Sequence, residues 1–434
     1  MTIQVRLSQR TVLRSALVLS IALLLCAGNA LAVNVNCGNG DSINTALAQL
    51  TATDRTVYIT GPCSEYVRIA SLQNVTLLGA GSTPAVLNQP PNPNGVSDYV
   101  SALEIYNSNT VSVRNINFVG PGAVPQNSAA LVAVENSTAV GFTCNISGSV
   151  GDGLQVYASQ VTVNGPAAIQ NNTANGVDIS SASNVTIGGW DTTYQVNIQN
   201  NSQDGIAMSN GSYLFVYDYV AVTANGTLGQ GNSSGLAISS SQALLCCNHG
   251  PAINGNIGWG LDAEELSSVV IVGGIASPAL SISNNTQGGI YDVASWIGIY
   301  NGTVIQNNGD HTQTNPLGGI DVLSNGALQA YGATIENNYG PGLLVSQSSS
   351  ADLGGGNSPT TITGNTGSGI YVQVNGSVQF DGAGTTVTGN SPKDLTCAAA
   401  GIAAEDNGAP PTIGKMSCDK LFDLPPRKHK KAKN

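Results

Sequence analysis

The sequence predicts an all-β fold, a right-handed parallel β-helix (solenoid) with a short N-terminal capping helix. A Gly followed by an aliphatic residue recurs nine times at steps of 23 to 30 residues, usually with an Asn four residues before it. Short β-branched stretches such as 160–163 and 184–187 lie between these marks, and helical periodicity is absent there. A repeat of this length without helices is typical of a β-solenoid, whose units contact only their neighbours. The marks are Gly153-Leu154, Gly176-Val177, Gly205-Ile206, Gly235-Leu236, Gly260-Leu261, Gly289-Ile290, Gly319-Ile320, Gly342-Leu343 and Gly369-Ile370.

Alternation after each Gly predicts which side chains point inward. Residues one and three after the Gly are apolar in most turns, as are Leu154 and Val156, so the residue between them is expected to face solvent. The turn after Gly289 departs from the pattern because Asp292 falls at an inward position, and a β-bulge is expected to restore the register. The Gly itself is expected to provide a positive φ or a close approach. An internal amide ladder is expected from Asn172, Asn201, Asn256, Asn285, Asn338 and Asn365.

Both ends of the solenoid need caps, because an open end exposes strand edges. Residues 41–50 read as an amphipathic helix with Asp41 or Ser42 as N-cap and with Ile43, Ala46, Leu47 and Leu50 on one face. Cys37 and Cys63 bracket this helix. Cys397 and Cys418 bracket the closing segment in the same way. In an exported protein these two pairs predict disulfides that pin the caps.

The remaining cysteines have no assigned role. By turn spacing, Cys144 lies about 19 Å from Cys246, too far for a disulfide. Buried thiols, or a vicinal Cys246–Cys247 pair, are the structural alternatives. Cys247 and His249 would share one face of a strand, but two ligands do not make a structural zinc site. The sequence therefore predicts no metal site and no cofactor.

The N-terminus reads as a signal peptide over residues 1–32. Three arginines precede an apolar run, and Ala30-Leu31-Ala32 forms a small-x-small cleavage site. The run is too short for a convincing membrane span, so no transmembrane segment is expected. The predicted location is secreted, periplasmic or cell-surface. We divide the rest into an N-terminal cap and first turn (33–75), β-helix repeats (76–392), a C-terminal cap (393–424) and a basic tail (425–434).

Charge is unevenly distributed along the chain. Between Asn115 and Pro392 there is no Lys or Arg, against fifteen Asp and Glu. Such an acidic body repels nucleic acid and anionic polymers, so no nucleic acid is expected on it. The last ten residues contain five basic side chains. This tail is either a solvated terminus or a contact for an anionic surface.

The opening of the mature chain resembles pectin-lyase-like right-handed parallel β-helix proteins. The segments that carry the resemblance are 42–47 (Ser-Ile-Asn-Thr-Ala-Leu), 57–61 (Val-Tyr-Ile-Thr-Gly), 67–69 (Val-Arg-Ile) and 75–79 (Val-Thr-Leu-Leu-Gly), followed by the Gly-aliphatic repeats. The resemblance covers nearly the whole mature chain and implies a carbohydrate polymer as ligand. It is specific for the fold and poor for function, because such a fold hosts many activities.

The residues that the enzymes of this fold use are mostly missing. A pectate-lyase mechanism needs a basic residue, which the body lacks. The Asp pairs, Gly-His-Gly and Arg-x-Lys of polygalacturonases are absent, and Cys247-Asn248-His249-Gly250 is only superficially similar. The Arg of a pectin-esterase site is missing as well. If the protein is an enzyme, a polysaccharide hydrolase is favoured over a lyase.

The best remaining constellation is the row of residues predicted to face solvent between the two inward positions. Asp262 and Asp321 lie two turns apart in it, about 9.6 Å by strand spacing, close to the 6.5–9.5 Å between the carboxylates of inverting glycosidases. They are the candidate catalytic residues, with Tyr291 between them as a sugar-stacking ring. Asp178, Tyr371 and Trp190, the last in a Gly-Gly-Trp-Asp insertion, are further candidate substrate-binding residues. The row is Gln155, Asp178, Ala207, Ala237, Asp262, Tyr291, Asp321, Leu344 and Tyr371.

Three hypotheses of function follow. The leading one is a secreted β-helix that engages extracellular polysaccharide or cell-surface glycan by binding rather than by efficient catalysis. The second is a structural or adhesive cell-surface rod. The third is a glycoside hydrolase that uses the paired carboxylates Asp262 and Asp321. Any solvent-exposed strand surface carries polar residues, so the row by itself does not discriminate among these three hypotheses.

Overall fold

The structure, a computed structural model, describes residues 32–423 except 53–54, 92–98, 123–128, 228–232, 275–278, 311–316, 356–357, 382–383, 406–409 and 419–421. The predicted signal peptide, apart from Ala32, and the predicted basic tail lie outside the described residues. In the described part no helix is long and apolar enough to cross a membrane.

Each turn of the chain adds strands to three parallel sheets, which we call sheets 1, 2 and 3. Sheet 1 contains the Gly-aliphatic marks and comprises Val67–Ala70, Leu103–Tyr106, Val132–Glu135, Leu154–Tyr157, Val177–Ser180, Ile206–Met208, Leu236–Ser239, Trp259–Glu264, Gly288–Val293, Ile320–Leu323, Leu343–Val345, Ile370–Val372, Leu395–Cys397 and Met416–Ser417. Sheet 2 comprises Val33–Asn36, Thr56–Thr60, Gln73–Gly79, Gln160–Asn164, Asn184–Gly188, Tyr213–Val216, Gln242–Cys246, Ser268–Val272, Trp296–Tyr300, Ala327–Tyr331, Ser350–Leu353, Ser377–Phe380, Ile402–Glu405 and Phe422–Asp423. Sheet 3 comprises Pro62–Cys63, Ala85–Asn88, Ala167–Gln170, Val196–Gln199, Val220–Thr223, Ala252–Asn254, Ser281–Ser283, Val304–Gln306, Thr334–Glu336, Thr361–Thr363, Thr386–Thr388 and Thr412–Ile413.

Two long strands, Asn109–Val119 and Thr138–Ser147, run through sheets 2 and 3 without a break and join them. The β-branched and aliphatic residues at alternate positions of all three sheets meet in one continuous core along the axis. The predicted solenoid of stacked parallel strands is therefore confirmed, with the Gly-aliphatic marks aligned in sheet 1.

The register of sheet 1 agrees with the predicted row but not with the predicted bulge. Tyr291 pairs with Asp262 on one side and with Asp321 on the other, as expected. The pairing continues without a shift to Asp292, which lies opposite Ala263 and Val322. Asp292 points into the core and is fully buried, so the bulge is wrong. The space above the small Ala263 and beside Gly326 admits a carboxyl where Val or Ile stands in other turns.

The predicted Asn ladder is present at the turn from sheet 3 to sheet 1. Each Asn carbonyl oxygen accepts from the side-chain and main-chain N–H of the Asn one turn before, as Asn256 does from Asn225 at 3.0 Å. Asn225, Asn308 and Asn390 belong to the ladder although they stand more than four residues before a repeat Gly or after the last one. Asp394 closes it by accepting from both N–H groups of Asn390.

The ladder also explains the repeat Gly. A Cβ at Gly153 would lie 2.6 Å from Asn172 Nδ2 and 2.7 Å from the Gly176 carbonyl of the next turn. Close approach is therefore the reason for Gly, and not a positive φ. A second ladder, of buried serines, which we did not predict, runs along the turn from sheet 1 to sheet 2.

The caps agree with the sequence. The α-helix spans Ile43–Ala48 with Ser42 as N-cap, and it buries Ile43, Ala46 and Leu47. Disulfides join Cys37 to Cys63 and Cys397 to Cys418, as predicted. Two 3₁₀ turns, Cys37–Asn39 and Thr192–Tyr194, complete the helical content of the described residues.

Candidate functional site

The outer face of sheet 1 carries two clefts separated by a pair of aromatic rings. The first, which we call the acidic cleft, has a volume of about 210 Å³. Asp178 and Asp262 stand at its two ends, and the small side chains of Ala207 and Ala237 lie between them in the same row. Glu264, two residues beyond Asp262 on the same strand, forms part of the wall. The cleft exists because two alanines leave the middle of the row low.

Two further carboxyls adjoin the acidic cleft from the turn that precedes sheet 1. Asp152 accepts from the backbone N–H of Asn175 at 2.9 Å, and Asp204 accepts from the backbone N–H of Ser234. Asn175 links them, since its side chain accepts from the N–H of Asp204 at 3.1 Å. This column, one residue before each repeat Gly, places Asp152 near Asp178 and Asp204 near Asp262.

Crowding and burial hold protons in this cluster. Burial, and then the charges of Glu264 and Asp204, raise the pKa of Asp262 to about 7. Burial raises the pKa of Asp152 to about 6, helped by the charge of Asp178 and opposed by hydrogen bonds from Asn175. The pKa of Asp204 rises to about 6 mainly by burial. Near neutral pH the cleft therefore offers both protonated carboxyl groups and carboxylates, so it can donate and accept hydrogen bonds.

The aromatic pair consists of Trp259 and Tyr291. Their rings stack with centroids 4.9 Å apart and an interplanar angle of 28°. Trp259, the first residue of its strand, is buried, and its ring covers the backbone of Gly288, where a Cβ would lie 2.1 Å from it. Tyr291, half-buried, is thus held on the outer face directly between Asp262 and Asp321. The pair forms an apolar ridge of two stacked rings on this face.

The second cleft, which we call the Asp321 pocket, has a volume of about 540 Å³. Asp321, Leu344 and Tyr371 form its floor in the row, and Tyr339 and Pro341 form a wall. Asp321 is fully buried, so its predicted exposure is wrong. Burial raises its pKa to about 7, opposed by the N–H of Gly318, and neither carboxylate oxygen has a hydrogen bond of normal geometry to a described residue. Leu317 and residues 339–341 line the pocket around it, and row position alone does not reveal this.

The predicted site residues are therefore only partly brought together. Asp178 and Asp262 share the acidic cleft, whereas Asp321 and Tyr371 share the Asp321 pocket. The pKa values of Asp262 and Asp321 rise to the same level, so this pair lacks the separation that acid and base roles require. Trp190 is 71% exposed but follows a strand of sheet 2, where its ring meets Tyr217 edge-on at 5.8 Å.

Several residues of this face were not foreseen. Asp152 and Asp204 carry a readable signal, since they recur one residue before a repeat Gly. The stacking of Trp259 on Tyr291 and the enclosure by Tyr339 and Pro341 have no such signal, because they depend on which turn follows which. Farther along the same row Arg68 forms an ion pair with Glu104 at 3.4 Å. By strand spacing Arg68 lies about four turns, or 19 Å, from Asp178, outside both clefts.

The other described cysteines lie at the end of a sheet 2 strand and in the core. Cys246 and Cys247 form a vicinal disulfide, and Cys144 is a buried free thiol. The ring of His249 stacks on Tyr219 at 4.7 Å. Within the described ranges no group of three or more His, Cys, Asp or Glu is placed to hold a metal ion.

Comparison with known proteins gives solved structures alone. No protein-family model matches the chain, and no curated protein does. A catalytic domain of a GH87 alpha-1,3-glucanase in complex with tetrasaccharides superposes with a TM-score of 0.42 at 14% identity, over 89% of this chain and 68% of that one. The A-module of the Azotobacter vinelandii mannuronan C-5 epimerase AlgE4 gives 0.36 at 14% identity, over 85% and 90%. The pectate lyase Pel9A gives 0.31 at 11% identity, over 89% and 78%. The parallel β-helix is shared with these proteins, and superpositions this loose carry no argument about activity.

Proposed function

We propose that this protein is an exported β-helix that binds a neutral polysaccharide along the outer face of sheet 1. The observation that carries the proposal is the ridge of Tyr291 on Trp259 between two clefts lined by carboxyls. Sugar rings present apolar faces to aromatic rings and hydroxyls to polar groups. Pockets of this kind bind ligands through apolar contact and a few placed polar groups. The three disulfides suit an oxidising compartment outside the cytoplasm.

The charge of this face selects the class of glycan. No Lys or Arg occurs between residues 115 and 392, so a uronate or sulfated chain would meet no counter-charge here. Carboxyls with pKa values near 6 to 7 can accept from sugar hydroxyls when ionised and donate to them when protonated. A neutral glycan is therefore favoured over an acidic one.

The test starts from the mature chain on a glycan array, followed by titration calorimetry with the glycans that bind. Tyr291→Ala is expected to weaken binding at least tenfold, or about 1.4 kcal/mol, because it removes the exposed ring of the ridge. Tyr157→Ala is the matched control, since Tyr157 is 47% exposed on the same sheet but lies five turns from Tyr291 and the aromatic ridge. Equal affinities for the parent and Tyr291→Ala would refute the proposal. Absence of any glycan binding would favour the structural rod.

A second candidate function, glycoside hydrolysis, is favoured by one observation. Asp262 and Glu264 point to the same side of one strand with backbones about 6.7 Å apart, near the separation found in inverting enzymes. The pKa of Asp262, about 7, suits a general acid. Hydrolysis would be established if the parent releases reducing ends and both Asp262→Asn and Glu264→Gln lose this activity. If Asp321→Asn loses it and Glu264→Gln does not, the pair is Asp262 and Asp321, as proposed from the sequence. Binding without turnover in the parent would exclude it for that glycan.

A further inference from the structure

The outer face of sheet 2 contains a trough that no part of the sequence analysis anticipated. Five residues that lie side by side in register have the order large, small, small, small, large. They are Trp296, Ala327, Ser350, Ser377 and Ile402. At the usual strand spacing the two large residues stand about 19 Å apart. The three small side chains between them form the floor of a groove of about 340 Å³, which we call the sheet 2 groove.

One wall of the sheet 2 groove is a row of polar side chains. Gln329, Asp352 and Gln379 lie in register two residues beyond the floor positions. Gln329 Oε1 accepts from the hydroxyl of Tyr300 at 3.0 Å, which leaves its NH₂ group oriented and able to donate. Asp352 accepts from the hydroxyl of Tyr331 at 2.7 Å. The tyrosines thus fix the rotamers of the groups that line the groove.

Gln379 supplies a donor that the described residues do not use. Its Nε2 atom is buried and has no hydrogen-bond partner among them. Buried polar atoms in native proteins are nearly always paired, and an orphan one calls for a partner other than the described residues. Because Gln379 lies on the fourth of the five strands, beside the floor residue Ser377, a ligand hydroxyl in the groove is suitably placed to be that partner.

The ring at the end of the groove is held in place by a glycine. A Cβ at Gly298 would lie 2.8 Å from both Trp296 Cη2 and Tyr300 Cε2, so both rings lean over this residue. Trp296 therefore stands across the end of the trough as a preformed apolar wall. An apolar ring, an oriented amide row and a hydroxyl-lined floor in one groove are the features of small-ligand sites.

From this geometry we infer that the sheet 2 groove is a second carbohydrate-binding site, specific for a short stretch of a neutral glycan. It lies on a different sheet from the clefts of the proposed function and needs neither of them. A groove about 19 Å long suits several linked sugars rather than one. Anionic sugars are disfavoured because the only charged side chain in the lining is the acidic Asp352.

The experiment is affinity electrophoresis of the mature chain in gels containing laminarin, soluble starch, hydroxyethylcellulose or galactomannan, with carboxymethylcellulose as the anionic comparison. Ser377→Trp fills the trough while keeping every wall residue, and it is expected to abolish the retardation due to this groove. Trp296→Ala is expected to weaken binding at least tenfold, and Gln379→Met several-fold. Gln160→Trp is the matched control. Gln160 is exposed in the same row of sheet 2 as the floor residues, five turns before Trp296 and therefore outside the groove. Thermal unfolding of each variant checks the fold.

The outcomes separate this inference from the proposed function. Binding that falls in Ser377→Trp but not in Gln160→Trp supports the sheet 2 groove, whatever Tyr291→Ala does. Binding that falls only in Tyr291→Ala overturns the groove and leaves the sheet 1 proposal intact. No retardation of the parent in any neutral gel, or retardation by carboxymethylcellulose alone, overturns both. If Trp296→Ala unfolds, the retardation of Ser377→Trp and Gln379→Met in the same gels still tests whether the groove binds glycan.

Discussion

Two sets of buried polar side chains in this solenoid differ in whether their hydrogen-bonding groups are satisfied. Along the Asn ladder every amide accepts from the turn before and donates to the turn after. On sheet 1, the carboxyl oxygens of Asp292 and Asp321 have no hydrogen bond of normal geometry to a described residue. An amide can repeat because it carries a donor and an acceptor, whereas a carboxylate can only accept. The ladder therefore serves the fold, and the orphan carboxyls are candidates for function or tolerated defects.

Asp394 shows that, among carboxyls, the environment decides whether the group is satisfied. It closes the ladder and accepts from Asn390 and from the backbone N–H of Lys415 at 2.7 Å. Although burial acts to raise its pKa, these hydrogen bonds lower it below the ordinary value. For Asp292, burial wins over the nearby N–H groups and raises the pKa to about 8. A buried carboxyl keeps a low pKa in this solenoid where several N–H groups of the chain donate to it, as at Asp394.

The largest effect on stability is expected from a substitution in the Asn ladder, whose hydrogen bonds are satisfied. Asn256→Ala removes the oxygen that accepts from the main-chain and side-chain N–H groups of Asn225. The main-chain donor is left buried and unpaired, and the side-chain amide keeps only its bond to the Ile198 carbonyl. We expect the free energy of unfolding to fall by about 3 kcal/mol or more, since each orphaned group costs about 1–3 kcal/mol. Asn254→Ala, at a half-buried outer position of sheet 3, should cost less than about 1 kcal/mol. Denaturant unfolding followed by circular dichroism measures both, and similar losses for the two variants would contradict the role given to the ladder.

A smaller effect on stability, of opposite sign, is expected from removing the unpaired carboxyl of Asp292. Asp292→Val replaces a buried carboxyl in the core by an apolar side chain of similar volume. At pH 8 the free energy of unfolding should rise by about 1–3 kcal/mol, the usual cost of an unsatisfied buried group. Asp381→Val, at a partly exposed position on the outside of the solenoid, is the control and should change little. A destabilised Asp292→Val with an unchanged control would mean that this carboxyl has a partner in the folded protein.

The smallest effect concerns pH. The folded-state pKa values of Asp292 (about 8), Asp262 and Asp321 (about 7 each) lie above the ordinary 3.8. Between about pH 4 and pH 8 the folded protein then holds protons that the unfolded chain has released, so stability falls as pH rises through this window. For Asp321→Asn we expect a loss of stability between pH 6 and pH 8 that is roughly 1–2 kcal/mol smaller than that of the parent. Parallel pH series of denaturant midpoints test this, and identical slopes would show that Asp321 does not titrate there.

Part of the candidate site was predictable because a solenoid has local rules. The order of Asp178, Asp262, Tyr291, Asp321 and Tyr371 in one row follows from the Gly marks, since each turn stacks on its neighbour in register. Those marks also place Leu154 and Val156 in the core. The position of a residue in the row does not indicate how deeply its side chain is buried. Asp321 is fully buried because residues of other turns enclose it, and Asp292 points inward because small neighbours leave room.

The sequence by itself determined the repeat, the three-sheet coil, the capping helix and the Cys37–Cys63 and Cys397–Cys418 pairs. These features depend on periodicity and on residues close to one another along the chain or bracketing one end. Only the tertiary structure decided that Trp259 supports Tyr291, that Asp262 and Asp321 open into separate clefts, and that Trp296 and Ile402 enclose a trough. Those features depend on which side chains of successive turns become neighbours. That information resides in the relative placement of residues 23 to 106 positions apart, such as Ala327 and Ser350 or Trp296 and Ile402, for which a single sequence has no periodic signal.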